Sequence, residues 1–308
     1  MDKKITLFLR SLNGFSLIDY LIHNKLLACV CVADKKDADT HNLLQSLEHY
    51  KIPYFIYSEN DLVTLDTLNK IDTNLAVIFG FPFKISQNII DHFKENIYNI
   101  HASALPSYRG INPMFWQIRD GKEDSALVMH KLTQKFDEGD IVVSKSFLID
   151  SQDTFGTLNG VVSQLTVSLL EEFLESFDNK LNASAQIGDI SYSKEVEQSD
   201  ILIDWRNMTS LEIYNLIRAC NPIFGGAKVM WKNSMLSILE STIMDMNNLG
   251  IEAGTIIHIG SPEGLIVSTI DGTLRLDIIS VPDGFFSGVR FANRFKLDVS
   301  EKLTMIKL

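Results

Sequence analysis

Asn99 and His101 stand two residues apart at the end of the apolar run Ile97, Tyr98, Asn99, Ile100, and farther along two carboxylates, Asp137 and Asp140, flank Gly139. Side chains two apart on a strand share a face, so the amide and the imidazole leave one side of one strand end. An amide, an imidazole and a carboxylate meeting at the carboxyl ends of strands form a set suited to acyl-transfer chemistry. A satisfied core His101 beside an ordinary turn accounts for the same local spacing equally well. The two readings separate on whether the rest of the chain builds a sheet edge where these groups meet.

The preceding elements build such an edge. Ile5–Leu9 reads as a first strand, and residues 10–14 form a loop that opens a helix over Phe15–His23, with Leu17, Ile18, Leu21 and Ile22 as its apolar positions. Residues 26–33 are a second apolar run, and Asp39 and Thr40 start a helix carrying Leu43, Leu44 and Leu47. Tyr54–Ile56, residues 62–68 and Leu75–Phe79 continue as strand, helix and strand. This alternation predicts an α/β fold: a Rossmann-like, mostly parallel sheet with crossover helices. Ligands bind beyond the carboxyl ends of such strands, which makes residues 10–14, 80–83 and 101–110 three walls of one expected pocket. The first loop has only Gly14 and is no GxGxxG fingerprint, so a nicotinamide dinucleotide is not expected.

Residues 126–132 and 141–147 read as two more strands, and residues 151–177 as a long amphipathic helix closing a catalytic domain over 1–180. The polar stretch 181–199 reads as a linker. Residues 200–308 then carry a short helix at 211–220, a turn at Pro222, Gly225 and Gly226, and short strands at 229–231, 236–239, 255–259, 265–269 and 274–278. That pattern predicts a small C-terminal antiparallel β module, OB-like.

A length of 308 residues is enough for two domains, and 45% hydrophobic with 22% charged residues is a globular composition. Cys29, Cys31 and Cys220 are too few for a disulfide framework, and the first two alternate within an apolar run as core thiols do. No Cys/His spacing suggests zinc. The first apolar stretch is broken by Arg10, Ser11, Asn13 and Gly14, so neither a membrane span nor a leader is expected, and the location expected is cytoplasmic. A net charge of −11 disfavours a polyanionic partner unless basic residues cluster.

With those elements in place, the run from Asn99 to Gly110 (NIHASALPSYRG), followed by Phe136, Asp137, Glu138, Gly139 and Asp140, resembles the hallmark of the folate-dependent formyltransferase family. That family includes methionyl-tRNA formyltransferases and sugar N-formyltransferases. Its pattern is Asn-x-His, then Ser-Leu-Leu-Pro-x-Tyr-Arg-Gly, then Asp-x-Gly-Asp/Gln; Ala104 stands where leucine is usual. Past the linker, Ile203, Asp204, Trp205 and the run from Leu216 to Pro222 resemble the start of the C-terminal domain of the tRNA enzymes.

The resemblance implies N10-formyltetrahydrofolate as formyl donor and no metal. It implies that Asn99 and His101 line the formyl group and stabilise its oxyanion, and that Asp137 orients His101 and helps remove the amine proton. Phe79, Gly80, Phe81, Pro82, Phe83 and Ile85, with Ser103, Leu105 and Pro106, fall where the family holds its folate, although Phe81 and Phe83 fit a core role equally well. Asp140 goes with that group and is expected mainly to stabilise the turn. Arg10, Ser11, Asn13, Gly14, Tyr108 and Arg109 are expected on the acceptor side, the last two also as supports of their loop. His130 reads as a strand residue, Trp116 and Trp205 as packing, and His23, His41, His49, His92 and His258 have no motif around them.

The acceptor is read from charge. The tRNA enzymes usually carry a basic, glycine-rich insertion after the second strand, whereas here Ala33 runs through Asp34, Lys35, Lys36, Asp37 and Ala38 straight into the next helix. From Asp200 onward ten Lys/Arg face twelve Asp/Glu. A UDP- or dTDP-linked amino sugar is therefore the expected acceptor, with methionyl-tRNA the first alternative and water, in a formyltetrahydrofolate hydrolase, the second. Sugar-modifying members often pair, so a homodimer is also expected.

Overall fold

The computed structural model describes residues 3–179, 181–247 and 250–306 and divides into two compact units. The expected domain limits at 1, 180 and 308 fall outside the described residues. Along the chain come β1 (Ile5–Leu9), α1 (Phe15–His23), β2 (Leu27–Val32), α2 (Ala38–His49), β3 (Tyr54–Ile56), α3 (Asp61–Leu68), β4 (Leu75–Phe79), α4 (Gln87–His92) and β5 (Ile97–His101). Then follow β6 (Arg109–Gly110), α5 (Pro113–Arg119), β7 (Asp124–Lys131), β8 (Ile141–Leu148), α6 (Phe155–Asp178) and β9 (Tyr192–Ser193).

The first unit runs to Gly110 and takes in Asp124–Leu148 and Asn159–Ser193. Its sheet has the order β3-β2-β1-β4-β5-β7-β8. The first five strands are parallel, as the alternation predicts, and β7 and β8 reverse direction at one edge. β1 is buried at every position, the mark of a central strand covered on both faces. Side-chain caps begin the crossover helices: Asp37 accepts from the Thr40 N–H of α2, Asn60 from Leu62 of α3 and Ser86 from Ile89 of α4. The residue that caps α2, Asp37, thus lies two positions ahead of the Asp39 read from sequence.

β5 presents Tyr98 to α6, its ring 4.6 Å from that of Phe173, so Asn99 and His101 are left for the far side of the strand ends. β7 lies antiparallel beside β5 and sets His130 directly opposite Asn99. Cross-strand partners stand about 5 Å apart at Cβ, which brings a second imidazole to the same place.

The second unit collects Ile111–Glu123, Ile149–Leu158 and the chain from Lys194. It contains α7 (Ser210–Cys220), β10 (Ala227–Trp231), β11 (Ser234–Met244), β12 (Ile256–Gly260), β13 (Gly264–Ser268), β14 (Thr273–Val281), β15 (Gly284–Ser287), α8 (Gly288–Phe295) and β16 (Leu303–Thr304). The strands form the antiparallel module expected, in the order β12-β13-β14-β11-β10-β16 with β15 on β14. The segment around β16 also reaches β12, through Ile256 N to Glu301 O and Leu303 N to Gly254 O, both 2.8 Å, and so curls the sheet into a half-barrel.

Two features depart from the division 1–180, 181–199, 200–308. Residues 111–123 belong to the second unit because Phe115 packs edge-on against Phe224 at 5.3 Å and the Trp116 indole N–H donates to the Lys194 carbonyl. Residues 184–193, read as linker from their polarity, are instead hydrogen-bonded to the loops of the first unit.

Candidate active site

Asn99, His101 and Asp137 come together as the resemblance implies. Asn99 Nδ2 donates to Asp137 Oδ1 at 3.1 Å, and the Gly110 N–H donates to Oδ2 at 2.8 Å. His101 Nδ1 lies 3.5 Å from Oδ2, and its Nε2 faces the Tyr108 carbonyl at 2.8 Å. A ring nitrogen against a carbonyl carries the proton, so Nε2 is the donor and Nδ1 is turned to the carboxylate.

His130, a strand residue of β7 as read from the sequence, also joins the group. It is 1% exposed, with Nε2 at 3.2 Å from both Asp137 Oδ1 and Asn99 Nδ2, while its Nδ1 donates to the Lys131 carbonyl at 2.9 Å. Nδ1, against a carbonyl, carries a proton, and Nε2 stands between the Asn99 amide and the Asp137 carboxylate. Nothing in local spacing marks His130, because its placement comes from the antiparallel pairing of β7 with β5.

Burial works against the charge on Asp137, but the imidazoles of His101 and His130 and the Gly110 N–H outweigh it and hold the carboxyl well below the usual carboxylate range. Burial likewise pulls the His101 imidazole below its ordinary pKa, against the opposing attraction of Asp137. The site therefore holds an ionised carboxylate between two imidazoles.

The loop that delivers Asp137 is strained and tightly seated. Asp137 has φ +51°, in the left-handed region, and a Cβ at position 139 would lie 1.8 Å from the Lys131 carbonyl oxygen. Only glycine lets the chain cross back there. Asp140 is exposed, and its carbonyl accepts from the Lys131 N–H at 2.9 Å, the turn role expected for it.

The other expected residues divide. Ser103 is fully buried and its hydroxyl donates to the Ser107 carbonyl at 2.7 Å, so it braces the loop. Leu105 packs on Ala126 and Val128, and Pro106 beside it is buried. Ile85 belongs to the core cluster; Phe81 and Phe83 pack against that cluster through Tyr57, at ring distances of 5.2 and 5.4 Å, yet stay partly exposed. Phe79 ends β4 half-buried, and Gly80 and Pro82 are exposed. Gly80 has φ +61° and nothing within 4 Å of where a Cβ would lie.

On the acceptor side, Arg10 is held by Asp37 at 2.8 Å with Asp39 at 3.9 Å. Ser11 caps the turn that follows it, Asn13 Nδ2 donates to Asn159 Oδ1, and Gly14 is buried under Leu9. Tyr108, at φ +56°, donates its N–H to Ser191 Oγ. Arg109 is 6% exposed, with its guanidinium taken up by Gln186 and Glu138, so it supports the loop and does not face an acceptor.

The N-terminal domain model of the formyl transferase family matches residues 16–174, and the formyl transferase C-terminal domain model matches residues 195–295. The chain belongs to the formyl transferase family. It is 28% identical over 241 residues to the methionyl-tRNA formyltransferase of Caldicellulosiruptor saccharolyticus, covering 78% of this chain and 76% of that protein. It is 25% identical over 276 residues to that of Fervidobacterium nodosum, with 87% of each chain covered. In fold it is similar to WlaRD, a sugar 3N-formyl transferase whose structure was determined with dTDP and 5-N-formyl-THF, at a TM-score of 0.65 and 19% identity over 89% of this chain and 97% of that one. The chain is thus a folate-dependent formyltransferase. Both curated relatives named are methionyl-tRNA enzymes, and each covers more than three quarters of this chain. Among the described residues, no helix is long and apolar enough to cross a membrane.

Proposed function

We propose that this enzyme transfers a formyl group from N10-formyltetrahydrofolate to a primary amine through Asn99, His101 and Asp137, and that the amine is that of methionyl-tRNA. The observation that carries the chemistry is the buried cluster in which one carboxylate accepts from Asn99 and Gly110 between two imidazoles. The folate supplies a formyl group already activated on nitrogen. Residues 79–85 suit its flat ring: the partly exposed Phe81 and Phe83 offer apolar surface, and Gly80 has open space beside it.

Asp137, ionised at neutral pH, takes the proton that the attacking amine must lose, and that proton passes to the N10 nitrogen as its bond to the formyl carbon breaks. His130 Nε2, 3.2 Å from Oδ1, stands ready to share that proton. Asn99 Nδ2 gives one hydrogen to the carboxylate and lies 3.2 Å from His130 Nε2. An oxyanion developing within reach of the Asn99 amide would receive a charge-assisted hydrogen bond, stronger than a neutral one. Asn99 therefore binds the transition state better than the ground state, as catalysis requires.

The coverage of both domains by methionyl-tRNA formyltransferases supports the acceptor. A nucleotide-linked amino sugar remains as a second reading on one specific observation. Only residues 33–37 separate β2 from α2, and the nearby Arg10 is neutralised by Asp37, so this edge offers little positive charge for an RNA backbone. Incubation with formyltetrahydrofolate and either methionyl-tRNA or a panel of UDP- and dTDP-linked amino sugars decides. Formylmethionyl-tRNA formed with salt-sensitive binding supports the first acceptor, and turnover of a sugar alone overturns it. Formate released at full rate without amine replaces both by hydrolysis.

A further inference from the structure

The stretch of 182–190 is exposed at every position except Gln186, which turns inward. Its amide is used at both ends. Nε2 donates to the carbonyls of Asp137 at 2.7 Å and Gly139 at 2.8 Å, and Oε1 accepts from Arg109 Nε at 3.1 Å and Nη2 at 2.7 Å. A left-handed φ in a residue other than glycine persists only where the surroundings over-determine it, and the peptide that Gln186 grips is that of Asp137.

The same segment fixes the opposing loop. Ser191 Oγ accepts from the Tyr108 N–H at 2.8 Å, Ser191 O accepts from the Arg109 N–H at 3.0 Å, and β9 pairs with β6. Gly110, the last residue of β6, supplies the N–H to Asp137 Oδ2. One strap therefore sets both the carboxylate and a donor that orients it. We propose that Gln186 is a positioning residue that aims Asp137 at His101 and Asn99 by joining the Arg109 guanidinium to the Asp137 and Gly139 carbonyls. This rests on the role given to Asp137 under the proposed function.

Gln186→Glu separates the two halves of the contact. One carboxylate oxygen keeps Arg109, with added charge, so the fold is retained. The other oxygen faces two carbonyls, so the grip on the Asp137 peptide is lost. Small misplacement of a reacting group can cost about 100-fold. The expected result is a kcat lowered about 10–100-fold, with KM for the folate donor within about twofold of wild type. Gln186→Met, which cannot bond to either side, reports the same quantity should the glutamate variant fold poorly.

The loss must also vanish when Asp137 is already disabled, so the double variant with Asp137→Asn is expected to be no slower than Asp137→Asn alone. Wild-type kcat in Gln186→Glu, or a loss that multiplies in the double variant, overturns the inference. Asp137→Asn at full rate by itself overturns instead the role given to Asp137, so the two failures are distinguishable.

Discussion

Replacing Asp137 by asparagine keeps the shape of the side chain and removes its charge. Oδ1 accepts from Asn99 Nδ2 at 3.1 Å, Oδ2 accepts from the Gly110 N–H at 2.8 Å, and the side chain is 10% exposed. Asparagine has a single oxygen, so in either orientation its NH2 group meets one of those donors. A buried donor without an acceptor costs about 1–3 kcal/mol, partly offset because an amide is cheaper to desolvate than a carboxylate. A net loss of about 1–2 kcal/mol is expected, a fall in Tm of about 2–8 °C for a domain of this size. Losing the base at the reacting amine costs about 10²–10⁴ in kcat, or about 3–5 kcal/mol in barrier at 1.36 kcal/mol per decade. Activity therefore falls far more than stability.

Acidification supplies a second check on the same variant. A carboxyl held below its ordinary pKa in the fold stabilises it fully above the unfolded value, about 3.9, and loses that contribution as pH falls through the folded value. The stability advantage of wild type over Asp137→Asn is then constant above about pH 5 and shrinks below about pH 4. Turnover at saturating donor, folate binding and denaturant melts between pH 3 and 8 measure all three quantities. Variant turnover within threefold of wild type, or a stability gap that widens on acidification, would refute the reasoning.

Three further outcomes follow from the geometry. His130→Phe removes the ring nitrogen beside Asn99 and Asp137 and the donor to the Lys131 carbonyl; kcat should fall about tenfold or more, on the scale of a mispositioned donor, and an unchanged kcat removes His130 from the site. Gly110→Ala forces φ +104° on an alanine whose Cβ would lie 2.5 Å from the Ser193 carbonyl oxygen; a destabilisation above about 1 kcal/mol should show in the denaturant midpoint, and an unchanged midpoint contradicts the β6–β9 pairing. Burial raises the thiols of Cys29 and Cys31 and pushes Cys220 up to about 12, so a thiol reagent at pH 7 should modify all three only after unfolding; rapid labelling of the native chain contradicts their burial.

The first unit was legible because its signals are local. Apolar runs for β1, β2 and β4 and the spacing of Leu17, Ile18 and Leu21 on α1 each sit within one turn or one pleat, and they fall at the structural elements within a residue or so. The Asn99, His101 and Asp137 triad was legible from the resemblance. Periodicity alone gave the shared face of β5 and nothing about the loop at 137. In the half-barrel, β15 and α8 were not foreseen. Gly284 to Phe295 mixes glycine, phenylalanine and arginine with Ser287, Val289, Ala292 and Asn293, with no clear period, and only pairing with β14 decides where the strand stops.

His130 and Gln186 were illegible for a deeper reason. Each is placed by a partner 31 to 49 residues away, His130 by the register of β7 on β5 and Gln186 by carbonyls of a loop in a left-handed turn. Polarity in a sequence says that a side chain can hydrogen-bond, and in a stretch such as 181–199 solvent is the cheapest partner to assume. What overrides that assumption is Arg109, a buried guanidinium whose acceptors must come from within the fold. A buried arginine in a loop is thus itself a signal that a distant polar residue has been drawn in to satisfy it, and here that residue also grips the peptide of Asp137.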